Sequence, residues 1–239
     1  MKQKLTISLI LVSLFLFSVM AIQALAIPEG LDNITIIDSQ EKAPKTGGAP
    51  ITADAGNVTW LNVSIKKQTA AWQGFVGNMT NSGLVLDDAS GDRFYSWNLT
   101  NMSGEIYASR NASIYWYTIS PENVCAVDEA LTGKGGDRVS KTFDASANTV
   151  NFSVGVIAIN SSSACSALPY ISGAKQTTTN TFENLILSTA TGATNNTIYT
   201  GILEAGTAGF DGQEYNFQLL VPVNKTTGLT TYYLYAEVE

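Results

Sequence analysis

The chain of 239 residues contains no histidine. This absence excludes catalytic triads that use histidine as the base and zinc sites that use histidine ligands. There is no Gly-x-Ser-x-Gly elbow, and the glycines beside Lys134 lack the spacing of a phosphate-binding loop. A glycosidase needs two carboxylates a few ångströms apart, and the sequence spacing of the candidates does not show whether any two of them pair; these candidates are Glu105, Asp137, Glu183 and Glu204. We therefore predict that the chain is not an enzyme and has no cofactor.

Charge is also scarce, because charged residues make up 14% of the chain and the formal net charge is −7. The charges are spread along the sequence and form no basic stripe. This pattern argues against binding to nucleic acid and to anionic membrane surfaces.

Cys125 and Cys165 are the only two cysteines. In an exported protein such an isolated pair predicts a disulfide, and the absence of histidine and of Cys-x-x-Cys spacing disfavours a metal or redox pair. The bond would close a loop of about 41 residues and stabilise the fold by on the order of 4 kcal/mol.

The first residues have the pattern of an export signal. Lys2 and Lys4 precede the apolar stretch Leu5–Ile22, and Ala24-Leu25-Ala26 is a small-x-small cleavage site. We expect cleavage after Ala26, with an uncleaved membrane anchor as the alternative. The rest of the chain has no second apolar run of that length, so we expect no membrane span after cleavage.

Glycosylation sequons are abundant in the chain. Eleven asparagines precede x-Ser or x-Thr, more than chance would give, and a glycan must lie on an exposed surface; they are Asn33, Asn57, Asn62, Asn78, Asn98, Asn101, Asn111, Asn151, Asn160, Asn195 and Asn224. The prediction is an extracellular or cell-surface glycoprotein.

Short apolar segments with period-two alternation follow residue 57, separated by Gly, Asn, Asp and Ser turns. The predicted strands are Leu61–Ile65, Trp72–Asn78, Leu84–Leu86, Phe94–Leu99, Gly104–Ser109, Ile114–Ile119, Val150–Ile159 (as the central strand), Phe182–Leu187, Ile198–Leu203, Tyr215–Val223 and Tyr232–Val238. The only predicted helix is Pro121–Leu131, capped by Ser120. The fold class is therefore all-β, a sandwich of Greek-key or jelly-roll type. The predicted organisation is a signal peptide at 1–26, an N-terminal strand and linker at 27–56, and a glycosylated β-sandwich at 57–239.

The acidic run Asp87–Asp92 is predicted to be a hairpin turn, with Gly91 supplying a positive φ. Calcium bound by Asp87, Asp88 and Asp92 is the weaker alternative, because the ligand spacing is not that of an EF-hand.

The aromatic residues of the chain allow two interpretations. We expect most of them in the core, and the alternative is a set of rings that stack on sugars; they are Trp60, Trp72, Trp97, Trp116, Tyr115, Tyr117, Tyr232, Tyr233 and Tyr235.

The N-terminal segment Leu31–Asp38 is predicted to be a short strand, followed by the Pro- and Gly-containing linker Ser39–Pro50. Such a strand could pair with the sheet edge of a neighbouring subunit, fold back on its own domain, or remain disordered. The residues expected to be donated are Leu31, Asn33, Ile34, Thr35, Ile36 and Ile37.

Three stretches, Trp72–Asn78, Leu86–Gly91 and Gly104–Arg110, resemble segments of secreted archaeal surface proteins of uncharacterised function, and the likeness extends over about residues 57–239. The order of export signal, N-terminal strand, linker and glycan-rich β-domain is also similar to that of archaeal thread, bundling-pilus or sheath subunits. That resemblance implies a homopolymer in which the N-terminal segment of one subunit completes the sheet of the next.

The sequence thus predicts a structural cell-surface protein, a subunit of a filament, pilus or sheath built by β-strand donation. The alternative is a monomeric carbohydrate-binding module or adhesin that binds surface glycans.

Overall fold

A computed structural model describes residues 27–41, 47–48, 50–79, 83–98, 103–144, 150–176, 181–189 and 196–238. The predicted signal peptide, part of the predicted linker, Asn101 and Asn195 lie outside these residues.

Strands dominate the described chain. They are β1 (Glu29–Gly30), β2 (Trp72–Gly77), β3 (Gly83–Asp87), β4 (Arg93–Asn98), β5 (Gly104–Ser109), β6 (Ile119–Pro121), β7 (Asn151–Val154), β8 (Ile157–Asn160), β9 (Ser166–Ala167), β10 (Tyr170–Ile171), β11 (Ala174–Lys175), β12 (Asn184–Thr189), β13 (Thr197–Ile202), β14 (Thr207–Ala208), β15 (Glu214–Tyr215), β16 (Phe217–Pro222) and β17 (Tyr233–Val238). The helices are short: α1 (Glu129–Thr132), α2 (Val139–Thr142) and the 3-10 turns Trp116–Thr118 and Ser161–Ser163. The prediction of an all-β sandwich is confirmed.

The main sheet has the order β1-β17-β5-β13-β12-β6, and β9 also pairs with β12. All of these pairings are antiparallel. One face packs against β16 and α2, so that Ile106, Ile186 and Tyr199 meet Leu219 and Phe143. The opposite face packs against the β7–β8 hairpin and the turn at Trp116. The core therefore lies on both faces of one central sheet.

A glycine permits the close pairing of β5 with β17. Gly104 has φ +123°, and a Cβ built there would lie 2.1 Å from the main-chain oxygen of Glu237. Only glycine fits this position, because any side chain would meet backbone in a conformation that L residues rarely adopt. This approach places Glu105 directly opposite Glu237.

Four segments differ from the prediction, besides the N-terminal segment Leu31–Asp38, which forms no strand. The segment 150–159 is not a central strand but the hairpin β7–β8, because Gly155 turns the chain at φ +57°. The segment 114–119 is mostly a 3-10 turn that buries Trp116 and leaves Tyr115 and Tyr117 exposed.

The predicted helix 121–131 is also wrong over most of its length. Pro121 pairs in β6 opposite Leu187, and helix begins only at Glu129 and ends at Thr132. The segment 61–65 forms no strand at all. Each error arises where a partner or a turn, rather than local propensity, decides the conformation.

Candidate assembly surface

Both edges of the main sheet carry a protecting feature, although β1 covers only two of the six residues of β17. At one edge β1 pairs with β17, Glu29 opposite Ala236 and Gly30 opposite Tyr235. At the other edge β6 contains Pro121, which has no main-chain N–H to offer. Natural sheets use covering strands and prolines of this kind against unwanted pairing.

The second layer contains β16 and β2, and one of its two edges is closed by a side chain. The Nδ2 of Asn184 donates to the main-chain oxygens of Phe182 (2.9 Å) and Gln218 (2.8 Å), and its Oδ1 accepts from the N–H of Leu220 (2.7 Å). The amide thus takes the place of a neighbouring strand along β16. Asn184 is fully buried, so these bonds are protected from water.

The other edge of this layer, along β2, pairs with no strand among the described residues. The N–H of Val223 donates to the oxygen of Ala71 (2.8 Å). Because residues of a strand direct their main-chain groups alternately to one side and to the other, this bond shows which residues of β2 face β16 and which face outward. Gln73 and Phe75 therefore direct their main-chain groups to β16, whereas Gly74 directs its groups outward. The Nε2 of the exposed Gln73 donates to the outward oxygen of Gly74 (2.7 Å).

The sequence of β2, Trp-Gln-Gly-Phe-Val-Gly, contains no charge and no proline. It therefore lacks the devices that usually prevent edge pairing. Phe75 lies opposite Leu219, on the face that turns to the core, and yet remains 36% exposed. The core-facing row of apolar side chains at this edge, here called the apolar strip, is therefore only partly covered.

The β3–β4 hairpin carries a second uncovered apolar surface. Leu86 lies opposite Tyr95, and the rings of Tyr95 and Trp97 are 4.8 Å apart on the same face. All three side chains are exposed, and Phe94 is 83% exposed. A two-stranded hairpin is only marginally stable by itself.

The turn of this hairpin confirms the prediction for Asp87–Asp92. The Oδ1 of Asp88 accepts from the N–H groups of Ser90 (2.8 Å) and Asp92 (2.9 Å), and Gly91 has φ +84°. Asp87 bonds Arg93 at 3.0 Å, which lowers the pKa of Asp87 through that hydrogen bond. Within the residues that the structure covers, no three His, Cys, Asp or Glu side chains form a group that could hold a metal.

Residues 31–70, here called the arm, leave the body after β1 and return to it at Thr69 and Ala71. The described part of the arm forms neither helix nor strand, so the only N-terminal pairing is that of Glu29–Gly30, not of Leu31–Asp38. Ile37 is 94%, Trp60 88% and Ile65 85% exposed. The other exposed apolar residues of the arm are Ile34, Ile36, Ile51, Val58, Leu61 and Val63.

The return of the arm is fixed by specific contacts. The hydroxyl of Thr69 donates to the carboxylate of Asp137 (2.7 Å) and also accepts from the N–H of Ala71 (3.0 Å). Ala71 is fully buried. The hydrogen bond from Thr69 is the main cause that lowers the pKa of Asp137. The arm is therefore anchored to its own body at both ends.

The four carboxylates considered for hydrolysis do not form one site. Glu105 lies beside Glu237, and the hydroxyl of Tyr107 donates to both (3.2 and 3.4 Å). Burial, together with these two negative charges, raises the pKa of Tyr107 well above its usual value. Glu105 and Glu237 are both buried, which separates them from any substrate in solution.

Glu183 is fully buried, and neither carboxylate oxygen has a hydrogen-bond partner among the described residues. Burial raises the pKa of Glu183 to about 7. Glu204 accepts from the N–H of Phe182 (3.1 Å), and burial raises the pKa of Glu204 as well. These carboxylates therefore face the interior of the fold, and Asp137 holds the arm.

The predicted disulfide between Cys125 and Cys165 is present. It joins the loop before α1 to the segment after β8. Nearby, Arg110 forms an ion pair with Asp128, whose other oxygen accepts from the hydroxyl of Tyr199 (3.2 Å). These contacts attach the helical segment to the main sheet.

The aromatic residues divide between core and surface, so the prediction that most of them lie in the core is wrong. Trp116 is buried, and Trp72, Tyr232 and Tyr235 are partly buried against the core. Five of the predicted rings remain exposed: Trp60, Trp97, Tyr115, Tyr117 and Tyr233.

Six sequon asparagines are exposed: Asn33, Asn57, Asn62, Asn78, Asn151 and Asn160. Asn111 and Asn224 are half-buried, and the side chain of Asn98 lies outside the described part of the structure. In Asn111, Asn160 and Asn224 the Oδ1 accepts from the N–H of the Ser or Thr two residues later (2.9–3.1 Å). That bond engages the Oδ1 of the amide and does not involve the Nδ2, which is the atom that would carry a glycan. Glycosylation remains a prediction.

Comparison with protein-family models, with curated proteins and with solved structures finds no match to this chain. Over the residues that the structure describes, no helix is long and apolar enough to cross a membrane.

Sequence reasoning identified the strand β2 but missed that its outer edge is unpaired. The signal was available, because Trp72–Gly77 lacks the charges and prolines that protect an edge. Sequence reasoning also placed 61–65 inside the body, although it belongs to the arm.

Proposed function

We propose that the chain is a structural cell-surface protein, a glycosylated subunit of an extracellular filament or sheath assembled by β-strand donation. The observation that carries this proposal is the apolar arm, which remains in solvent although the body beside it is well packed. A soluble monomer gains nothing from exposed isoleucines, whereas a subunit buries them on assembly.

The donated segment in this proposal is Leu31–Asp38. Ile34 and Ile36 lie on one side of an extended chain, and Asn33, Thr35 and Ile37 lie on the other. A glycan on Asn33 would then point away from the acceptor while Ile34 and Ile36 pack into it. Because β1 remains paired with β17, the body keeps its own sheet when the segment is donated.

The test is assembly of the secreted protein, followed by sedimentation and electron microscopy. Deletion of residues 31–50 is expected to abolish polymers while the melting temperature of the monomer stays unchanged. The double variant Ile34→Ser/Ile36→Ser should have the same effect, whereas the matched control Thr35→Ser/Ile37→Ser, on the opposite side, should still assemble. Normal assembly of the deletion variant would refute the donor role.

A second candidate is a sugar-binding module, favoured by two pairs of exposed rings, Tyr95 with Trp97 on the β3–β4 hairpin and Tyr115 with Tyr117. The rings of Tyr115 and Tyr117 are 5.5 Å apart, and both are more than half exposed, as is usual for rings that stack on sugars. Screening against surface glycans would distinguish the two functions. Saturable binding by a protein that stays monomeric, lost in Tyr115→Ala/Tyr117→Ala, would favour this candidate over the filament subunit.

A further inference from the structure

We infer that the free edge of β2 in one copy pairs with the arm segment Val58–Ile65 of a second copy. This inference rests on the proposed function, and it names the acceptor edge and a donated segment other than Leu31–Asp38. It follows from three observations: the unprotected edge, the composition of the segment, and the way in which the arm is attached.

The edge needs a strand rather than a side-chain cap. Along the opposite edge of this layer, Asn184 already satisfies the outward groups of β16. Along β2, the outward groups of Gly74 meet, among the described residues, the exposed side chain of Gln73, which can turn away into water. A Cβ at Gly74 would meet nothing within 4 Å, so the sheet face on which Gly74 lies, opposite to the face of Phe75, is also uncovered here.

The segment Val58–Ile65 fits this edge in length and pattern. Its eight residues carry no charge, whereas Leu31–Asp38 contains two aspartates. In an extended chain Leu61, Val63 and Ile65 share one side, where they would continue the partly covered apolar strip at Phe75. Asn62 then lies on the other side, where a glycan would remain in water.

The attachment and exposure of the arm favour a second copy over pairing within the same chain. Thr69 is held by Asp137 and Ala71 by Val223, and the chain bends at Ala70 and Ala71. Every residue of Val58–Ile65 is nevertheless exposed, and among the described residues the segment pairs with no strand of its own copy. The segment is therefore available to the β2 edge of a neighbour.

Proline and alanine substitutions at Gly74 test the edge. Gly74→Pro removes the outward N–H and leaves the β16 ladder intact, whereas Gly74→Ala keeps the N–H. We expect Gly74→Pro to raise the protein concentration at half-assembly by about tenfold or more, and Gly74→Ala to change it less than about twofold. The melting temperature of the monomer should be the same in both.

Lysine substitutions test the segment in the same assay. Val63→Lys places a charge on the side that faces the acceptor and should block assembly, whereas Trp60→Lys on the opposite side, which also leaves the sequons at Asn57 and Asn62 intact, should not. Wild-type assembly by Gly74→Pro or Val63→Lys would overturn the inference while leaving the proposed function in place. A lower monomer melting temperature in Gly74→Pro, with assembly unchanged, would show that the segment pairs within its own chain.

A peptide of residues 56–68 separates this inference from the proposed function. Labelled peptide should bind the full-length monomer saturably, and the same peptide with Val63→Lys should bind at least about tenfold more weakly, because a charge must then be desolvated. If the wild-type protein forms no polymer under any condition, the proposed function fails. Absence of peptide binding would then refute the edge pairing by itself.

Discussion

Strand β13 and the arm segment Val58–Ile65 have similar sequences and opposite environments. Both are uncharged stretches rich in Thr, Ile and other β-formers. Every residue of β13 is buried, and every residue of Val58–Ile65 is exposed. The difference lies in their neighbours, because β13 pairs with β5 on one side and β12 on the other.

The comparison shows that strand-forming sequence alone does not produce a strand. Pairing requires a partner edge at the correct distance, and packing requires a second layer. Within one subunit the arm has neither, since β1 and Thr69 hold its ends on the body. A neighbour that supplies both would convert the same residues into a strand.

Replacement of one isoleucine in each region should sharpen this comparison most. Ile198 in β13 is fully buried and Ile65 is 85% exposed. We expect Ile198→Ala to lower the free energy of unfolding of the monomer by about 4 kcal/mol, because it leaves a cavity. Ile65→Ala should change it by less than about 0.5 kcal/mol.

Denaturant unfolding of dilute monomer measures both variants. Equal losses would mean that the arm packs on its own body in solution, and the contrast between the two regions would disappear.

The amide of Asn184 should produce the next largest effect. Asn184→Ala leaves the buried oxygen of Gln218 and N–H of Leu220 without partners, and we expect a loss of about 3 kcal/mol in the free energy of unfolding. Chemical denaturation with Asn123→Ala as the exposed control would measure it. A loss no larger than that of the control would show that β16 does not need this side-chain cap.

Glu183 should give a smaller effect that depends on pH. Its pKa in the folded state, about 7, lies above the ordinary value of 4.5, so the folded state binds the proton more tightly. The stability that Glu183 contributes is therefore fully present below about pH 4.5 and is lost as the pH rises through 7, by about 3 kcal/mol at most.

Glu183→Gln should remove this dependence and raise the stability at pH 8 by about 2 kcal/mol, with little change at pH 4. Unfolding curves at both pH values, with the exposed Glu214→Gln as control, provide the measurement. A variant that is less stable than wild type at pH 8 would contradict the assignment of an unpartnered buried carboxylate.

Much of the body was predictable because its elements carry local signals. Strand β5 begins and ends at the predicted residues, Gly104 and Ser109, and the turn at Asp87–Asp92 follows from its own side chains. The cysteine pair allowed only one disulfide. In each case a short stretch of sequence contains the information that determines the structure.

The remaining elements depend on partners that the sequence does not specify. The run 150–159 looks central because it is apolar, but Gly155 folds it into a hairpin that covers the sheet. The unpaired edge of β2 was not predicted because an edge is defined by what lies beside it in space. Asn184 carries no local signal for its role, since its three partners are up to 36 residues away.

The two anchors of the arm also determine how a fibre would respond to pulling. A load transmitted through Val58–Ile65 has two paths to the body, to Thr69 and Ala71 on one side and to β1 on the other. Lys66, Lys67 and Gln68 alone separate Ile65 from Thr69, whereas residues 31–57 separate Val58 from β1, so the short path would carry the load and the two-residue β1–β17 pairing would stay unloaded. A fibre joined through Val58–Ile65 would therefore transmit force from subunit to subunit through the six-residue ladder of β2, without lengthening the arm.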